Sequence, residues 1–389
     1  PWSTRTCLTV GLCTVGMPAM HATLSAILVL LPNVAFAQDT PLAPTPWPDA
    51  ECPGAMQMGG FGNVEVVPMW WDNITVPDSN TVVAKLSGRG YLAETCTAGL
   101  YDNKQYLALN LLGSTLRYKT DISGAGCGCN AAVYLTAMRQ NPEPSECTDY
   151  YCDANSVCGV ACSEIDIQEA NMHAWHTTLH SKLDKNGLGV GYGGGGKNWT
   201  GPRQWKQNEY GPGASCINTL KPFEVAVSFP VNETGYLVAV QVTLTQSGSP
   251  CPLRVSIDHY GGMDELSEAL GAGMTPIVSY WEDKKMLWMD GEGKDKEGPC
   301  RVDLRVPCAE TVKFYDFHVE RTAPDEAIYA SGHSEEGAEG SGDYLGAGEW
   351  LKAEEAAVAA VEDQQPVATV EQVVTLVDPA RAQGRAECR

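Results

Sequence analysis

Cys162-Ser163-Glu164-Ile165-Asp166-Ile167-Gln168-Glu169-Ala170-Asn171 sets acidic or amide side chains against isoleucine at period two. That is the pattern of a strand with one face against a second layer and the other open to polar partners. Glu164, Asp166 and Gln168 then share the open face, while Ile165 and Ile167 point inward. Glu169 joins the other acids only if a β-bulge adds one residue to the register. With that bulge, three carboxylates line one wall.

The same alternation recurs along the chain with Gly, Pro or Asn between runs: 106–110, 116–122, 131–138, 223–229, 236–245, 253–258, 275–281 and 312–319. About eight to twelve strands follow, with no βαβ rhythm. The expected fold is all-β, an antiparallel β-sandwich of the concanavalin-like jelly-roll type in which one sheet curves to form a substrate cleft. A helix is expected at 263–271 (MDELSEALG), with Gly271 as its stop. No internal repeat is present.

Composition supports this class. Among 389 residues, 40 are Gly, 24 Pro and 10 Trp, and only 19% are charged, which describes a turn-rich β protein. Asp and Glu outnumber Lys and Arg 48 to 26, a formal charge of −22. Polyanionic partners need a basic face, so nucleic acid is excluded as a partner.

The two ends differ from the middle. Residues 20–37 have an apolar centre and end in Ala35-Phe36-Ala37, the small-x-small pattern of a signal-peptidase site. The run is too short, and too broken by Pro32, to span a bilayer. Residues 1–37 are therefore expected to be an upstream segment and signal peptide, with Gln38 the first mature residue and no membrane association after cleavage. Residues 38–50 form a Pro-rich lead-in. From 322 to 389 there are fourteen acids and four Lys or Arg, a net of −10, and 331–348 is rich in Gly, Ser and Glu. This acidic low-complexity tail is expected to be disordered. The catalytic domain is expected at 51–321.

Setting aside Cys7, Cys13 and Cys388, an even twelve of the 15 cysteines remain in that domain, enough for six disulfides in an oxidising compartment. Cys147, Cys152, Cys158 and Cys162 could instead hold zinc, but the spacings are irregular and secretion favours disulfides. Asn73, Asn198 and Asn232 each begin an Asn-x-Thr glycosylation acceptor. The expectation is a secreted protein, extracellular or in a cell wall, with no metal and no cofactor.

Two carboxylates roughly 5–5.5 Å apart, one a nucleophile and one an acid/base, are what a retaining glycosidase uses. A third acid between them sets their protonation, because neighbouring carboxylates do not all ionise together. Gly191–Lys197 looks like a phosphate loop but lacks the closing Ser or Thr. His173, His176 and His180 could share a helical face and bind zinc, yet no fourth ligand is evident.

The segment 162–171 resembles the Glu-x-Asp-x-x-Glu-Ala-Asn signature of glycoside hydrolase family 7, the secreted cellobiohydrolases and endoglucanases. The likeness runs in order on both sides, over roughly residues 105–320. Leu111–Ser123 and Cys127–Tyr134 are similar to a family strand pair leading to an active-site tyrosine, and Tyr151-Cys152-Asp153 to the next landmark. His180 stands eleven residues after Glu169, and Arg203 seven before Tyr210-Gly-Pro-Gly213, both as in the family. Residues 273–283 and 286–290 resemble a strand pair carrying two sugar-stacking tryptophans.

The resemblance implies Glu164 as nucleophile, Glu169 as acid/base and Asp166 as the residue that tunes Glu164. It implies Asn130, Tyr134, Asp153, His180, Arg203, Trp281 and Trp288 as substrate-binding, with Arg203 on the leaving-group side and indoles stacking on pyranose faces. The implied partner is a β-glucan such as cellulose, handled by a monomer without cofactor. Trp70 and Trp71 lie where the likeness fades and are read as core or platform.

Only eleven residues separate Cys152 from Glu164, too few for the tunnel-covering loop of cellobiohydrolases, and Glu297 stands where those enzymes place a product-site arginine. An open, internally cutting cleft is therefore expected. The alternatives are a cellobiohydrolase, a β-1,3/1,4-glucanase or transglycosylase of related fold, and an inactive glucan-binding wall protein.

Overall fold

The computed structural model describes residues 45–46, 51–69, 73–182, 190–195, 201–293, 296–301 and 308–321. The expectations for 1–37, most of 38–50, Trp70, Trp71, Gly196 to Asn198 and 322–389 lie outside the described residues. All described residues fall in the first of two units into which the chain divides, Pro1–Ile328.

The strands of the two large sheets are, in chain order, β1 (Ala55–Met58), β2 (Gly62–Pro68), β3 (Ile74–Asp78), β4 (Thr81–Lys85), β5 (Gly88–Ala93), β6 (Ser114–Asp121), β7 (Cys129–Thr136) and β8 (Glu164–Ala170). They continue with β9 (Trp175–His180), β10 (Tyr192–Gly193), β11 (Phe223–Ser228), β12 (Val240–Thr245), β13 (Leu253–Ile257), β14 (Thr275–Glu282) and β15 (Thr311–Arg321). One sheet has eight strands in the order β10-β9-β8-β7-β14-β5-β2-β1, and the other seven in the order β13-β12-β11-β6-β15-β4-β3. Every pairing between neighbours in them is antiparallel. The all-β sandwich is as expected.

Period-two alternation explains the packing. In β6, Leu116, Tyr118 and Thr120 are buried, while Arg117 and Lys119 face out to Glu224, Glu320 and Asp316. In β8, Ile165 and Ile167 meet residues such as Leu116, Val225 and Phe314 of the other sheet in one buried cluster. Strand β7 is buried along its whole length, because its second face lies under the cleft rather than in water. Burying side chains of this size stabilises by about 1.5–3 kcal/mol each.

The sequence reading placed no strand before Tyr106, yet β1 to β5 all precede it. Short runs such as Ala55–Met58 and Gly88–Ala93, the second carrying two glycines and an arginine, give little periodic signal. The strand expected at 106–110 is not one: Tyr106 and Leu109 make isolated bridges to Ala93 and Met274. Only the second half of 236–245 forms a strand, β12, while Leu237 makes an isolated bridge to Val231. The helix expected at 263–271 is α1 (Met263–Ala272). Residues 287–290, expected in a strand pair, form a one-turn helix, α2 (Leu287–Asp290).

All twelve cysteines of this region are paired, as Cys52–Cys96, Cys127–Cys300, Cys129–Cys308, Cys147–Cys158, Cys152–Cys162 and Cys216–Cys251. The zinc alternative fails, since the four cysteines proposed for it bond to one another. Cys129–Cys308 joins residues 179 apart, and closing so long a loop restricts the unfolded chain most. Replacing Cys129 and Cys308 together by alanine is expected to destabilise by about 3–5 kcal/mol in chemical denaturation. An unchanged midpoint would show that the staple adds nothing to the packed sheets.

Candidate active site

The bulge sits where the sequence required one. Asp166 pairs with Tyr134 of β7, but the next pair is Gln168 with Val133, so the register shifts by one residue around Ile167. The same shift appears against β9, where Asp166 faces Thr178 and Glu169 faces His176. Glu164, Asp166 and Glu169 thereby line one cleft of about 680 Å³.

Gln168 is the correction. It does not share the acid face but turns into the sandwich, where it accepts from Tyr118 Oη (3.1 Å) and donates to Thr120 and to the Ala131 carbonyl. The bulge reverses the alternation after Ile167, so it exchanges the faces of Gln168 and Glu169. The interior amide is satisfied, as a buried amide must be.

Each acid has a distinct setting. Glu164 is buried, and its Oε2 accepts the Ala154 N–H at 2.9 Å. Asp166 Oδ2 lies 3.1 Å from His180 Nε2. Glu169 is half-buried and accepts from Asn130 Nδ2 at 3.0 Å, while Asn130 Oδ1 takes the Ala170 N–H. Burial and the neighbouring acids raise all three carboxyls above their ordinary range, Asp166 to about 8. For Asp166 burial is the larger cause and Asp153 the second. The cluster thus holds fewer than three negative charges at neutral pH. At Glu164 burial is the largest cause, and the Ala154 N–H that meets its oxygen draws the carboxyl partly back.

The rear of this wall is held rigidly. Trp175 packs against Trp205, Tyr210 and Phe223, with ring centroids 6.1–6.2 Å apart. Tyr210 Oη donates to the Asn171 carbonyl, which gives the Tyr-Gly-Pro-Gly motif its role. Asn171 Nδ2 donates to the Cys129 carbonyl and to Asp290 Oδ2, tying the end of β8 to α2. Trp288, 43% exposed on α2, is therefore fixed relative to the acids.

Of the residues expected to bind substrate, Tyr134, Asp153, His180, Trp281 and Trp288 line the cleft. Asn130 does not line it; it is fully buried beneath Glu169. Arg203 departs from expectation. It is buried, with Nη1 donating to the Glu292 carbonyl at 2.7 Å, and it is not among the residues lining the cleft.

Sequence reasoning did not assign Arg89, Tyr151, His176 or Thr178 to the cleft, which all four line. Arg89 lies 3.7 Å from the centre of the Tyr151 ring, and Tyr151 Oη meets Tyr134 Oη at 3.2 Å. Beneath them Asp149 accepts from Tyr91 Oη and from the Tyr151 N–H at 3.1 Å. Burial lifts Asp149 above its ordinary range, and Arg89 draws it back. The signal for Arg89 was a lone cation between glycines in Gly88-Arg89-Gly90-Tyr91.

No family model matches the chain. By sequence it is similar to endoglucanase EG-1 of Hypocrea jecorina, 29% identical over 271 residues that cover 59% of this chain and 54% of that protein. It is also similar to endo-beta-1,4-glucanase celB of Emericella nidulans, 27% identical over 293 residues covering 59% and 67%. A solved structure of endoglucanase I complexed with cellobiose matches at 20% identity and a TM-score of 0.47, covering 64% of this chain and 79% of that one. The chain spans about half the length of the Hypocrea protein it matches. These relatives bear out the resemblance to the cellulases of glycoside hydrolase family 7 that the sequence carries.

Proposed function

We propose that this chain is a secreted retaining glycoside hydrolase that cleaves β-1,4-glucosidic bonds in cellulose or related β-glucans, cutting internally and acting as a monomer. The observation that carries the reading is the bulged strand, which brings Glu164, Asp166 and Glu169 to one wall of a cleft built from a single chain.

Glu164 attacks the anomeric carbon and forms a glycosyl-enzyme, while Glu169 gives its proton to the leaving oxygen. Glu169 then takes a proton from water, which frees the product with retained configuration. Asp166 carries the proton that lets Glu164 hold the charge, and His180 Nε2 holds Asp166 in place. Half-buried Glu169 can exchange protons with solvent; buried Glu164 is shielded from it. Trp281 and Trp288 offer apolar planes to sugar rings, and Tyr134, Asp153 and Arg89 offer polar groups along the cleft.

An open cleft suits the short segment after Cys152, which is pinned by Cys152–Cys162 and by a bridge between Asp153 and Ala161. Secretion suits six disulfides. Among the described residues no helix is long and apolar enough to cross a membrane. The functional test is digestion of carboxymethyl-cellulose, barley β-glucan and laminarin beside a Glu164→Gln control. Internal cutting of the β-1,4 glucans is expected, with a rapid fall in viscosity, and proton NMR should show the β-anomer first. An initially α product refutes the mechanism. Release of almost only cellobiose with little loss of viscosity refutes internal cutting, and binding without cleavage supports a glucan-binding wall protein.

A further inference from the structure

The acids of β8 stand opposite a second row on β9: Glu164 faces His180, Asp166 faces Thr178 and Glu169 faces His176. His180 lies beside Asp166, whereas His176, opposite Glu169, meets Thr178. It is firmly held. Its Nδ1 is 2.8 Å from Thr178 Oγ1, and its Nε2 stands beside the Gly201 carbonyl where both flank Gly194.

Two features of the leaving-group half of the cleft rest on this ring. Trp288 meets it edge to face, with centroids 5.5 Å apart and planes at 84°. Gly194, at φ +73°, passes so close that a Cβ there would lie 2.0 Å from His176 Nε2. Glycine is thus required at 194 both by its backbone conformation and by the ring above it.

We propose that His176 is a positioning residue for the leaving-group half of the cleft, seating Trp288 and the backbone at Gly194 and Gly201 to receive the sugar beyond Glu169. This rests on reading Glu169 as the acid/base, because the leaving sugar lies on the side of the group that protonates its oxygen. Neutrality suits the task. Burial lowers His176 to about 4, so at working pH the ring adds no charge beside Glu169.

The test compares cellohexaose, whose leaving group is a sugar, with β-cellobiosyl fluoride, whose leaving group is fluoride and fills no leaving-group subsite. His176→Ala is expected to raise KM for cellohexaose about tenfold and to leave fluoride turnover within twofold, with His176→Gln recovering part of the loss. Equal losses on both substrates, or no loss on cellohexaose, overturn the proposal. Should His176→Ala fail to fold, His176→Gln carries the same comparison.

Binding separates this inference from the reading beneath it. Cellohexaose titrated into Glu164→Gln, followed by tryptophan fluorescence, is expected to bind about tenfold more tightly than in Glu164→Gln with His176→Ala. Equal binding overturns the role of His176 even if the wild type is active. An inactive wild type overturns the catalytic reading, and the binding arm still decides the role of His176.

Discussion

Glu164→Gln is expected to lower kcat/KM on β-1,4-glucan by on the order of 10⁴ or more while leaving the melting temperature no lower than that of the wild type. Glutamine keeps the shape and can still meet the Ala154 N–H through its carbonyl oxygen. It cannot form the glycosyl-enzyme. Because the pocket is shaped for attack from one side of the ring, a Glu164→Ala variant leaves room for a small external nucleophile. Azide is expected to restore turnover of an activated β-cellobioside and to yield the α-glycosyl azide. Residual activity within tenfold of wild type, or a β-azide, refutes Glu164 as the nucleophile. Loss of folding would show in far-UV circular dichroism and is not expected, because removing a buried negative charge relieves the fold.

That relief has its own large consequence at Asp166. Its carboxyl is pushed up to about 8 by burial and by Asp153, against an unfolded value near 4. Between those limits the folded chain binds a proton that the unfolded chain has lost, so stability falls as pH rises from about 4 through about 8. Raised values for Glu164 and Glu169 act in the same direction. Asp166→Asn removes one ionisation and is expected to raise the melting temperature by roughly 5–10 °C at pH 8, and by little at pH 4. Activity should fall in the same variant, since an amide cannot share its proton with Glu164. A melting difference that is flat with pH, or larger in acid, would mean that Asp166 is not held protonated in the fold.

Much of this was legible in the chain because period two is a strong signal in long strands. Ser114–Asp121, Thr275–Glu282 and Thr311–Arg321 lie close to where alternation put them. The five strands before residue 94 were not legible. They run only four to seven residues, two of them contain glycine, and a run as short as Thr81–Lys85 gives too few alternations to stand out. The acids were legible as a group, and the need for a bulge with them. Which residue would be displaced was not, so Gln168 was given to the wrong face. Trp288 was found by its type but assigned to a strand, because α2 is a single turn held by Asn171 to Asp290. Arg203 was found by its spacing, which says nothing about the chain near Glu292 that engages it. His176 was read only as a zinc candidate; its actual neighbours, Thr178 and Trp288, come from the strand pleat and from residues over a hundred positions away.

The bulge at Ile167 makes the site a question of parity. On a flat strand two side chains can face the same way only when an even number of positions separates them. Glu164 and Glu169 are five apart, an odd step. Deleting Ile167 would bring them to an even step and keep both on the cleft face, but four positions apart on an unbent strand. Inserting a residue there with the bulge retained would send Glu169 into the sandwich in place of Gln168. Length variation is thus barred from this one segment for a reason that tolerates almost any change in the loops beside it. An odd interval between paired acids, within an otherwise alternating strand, is the mark such a bend leaves in a sequence.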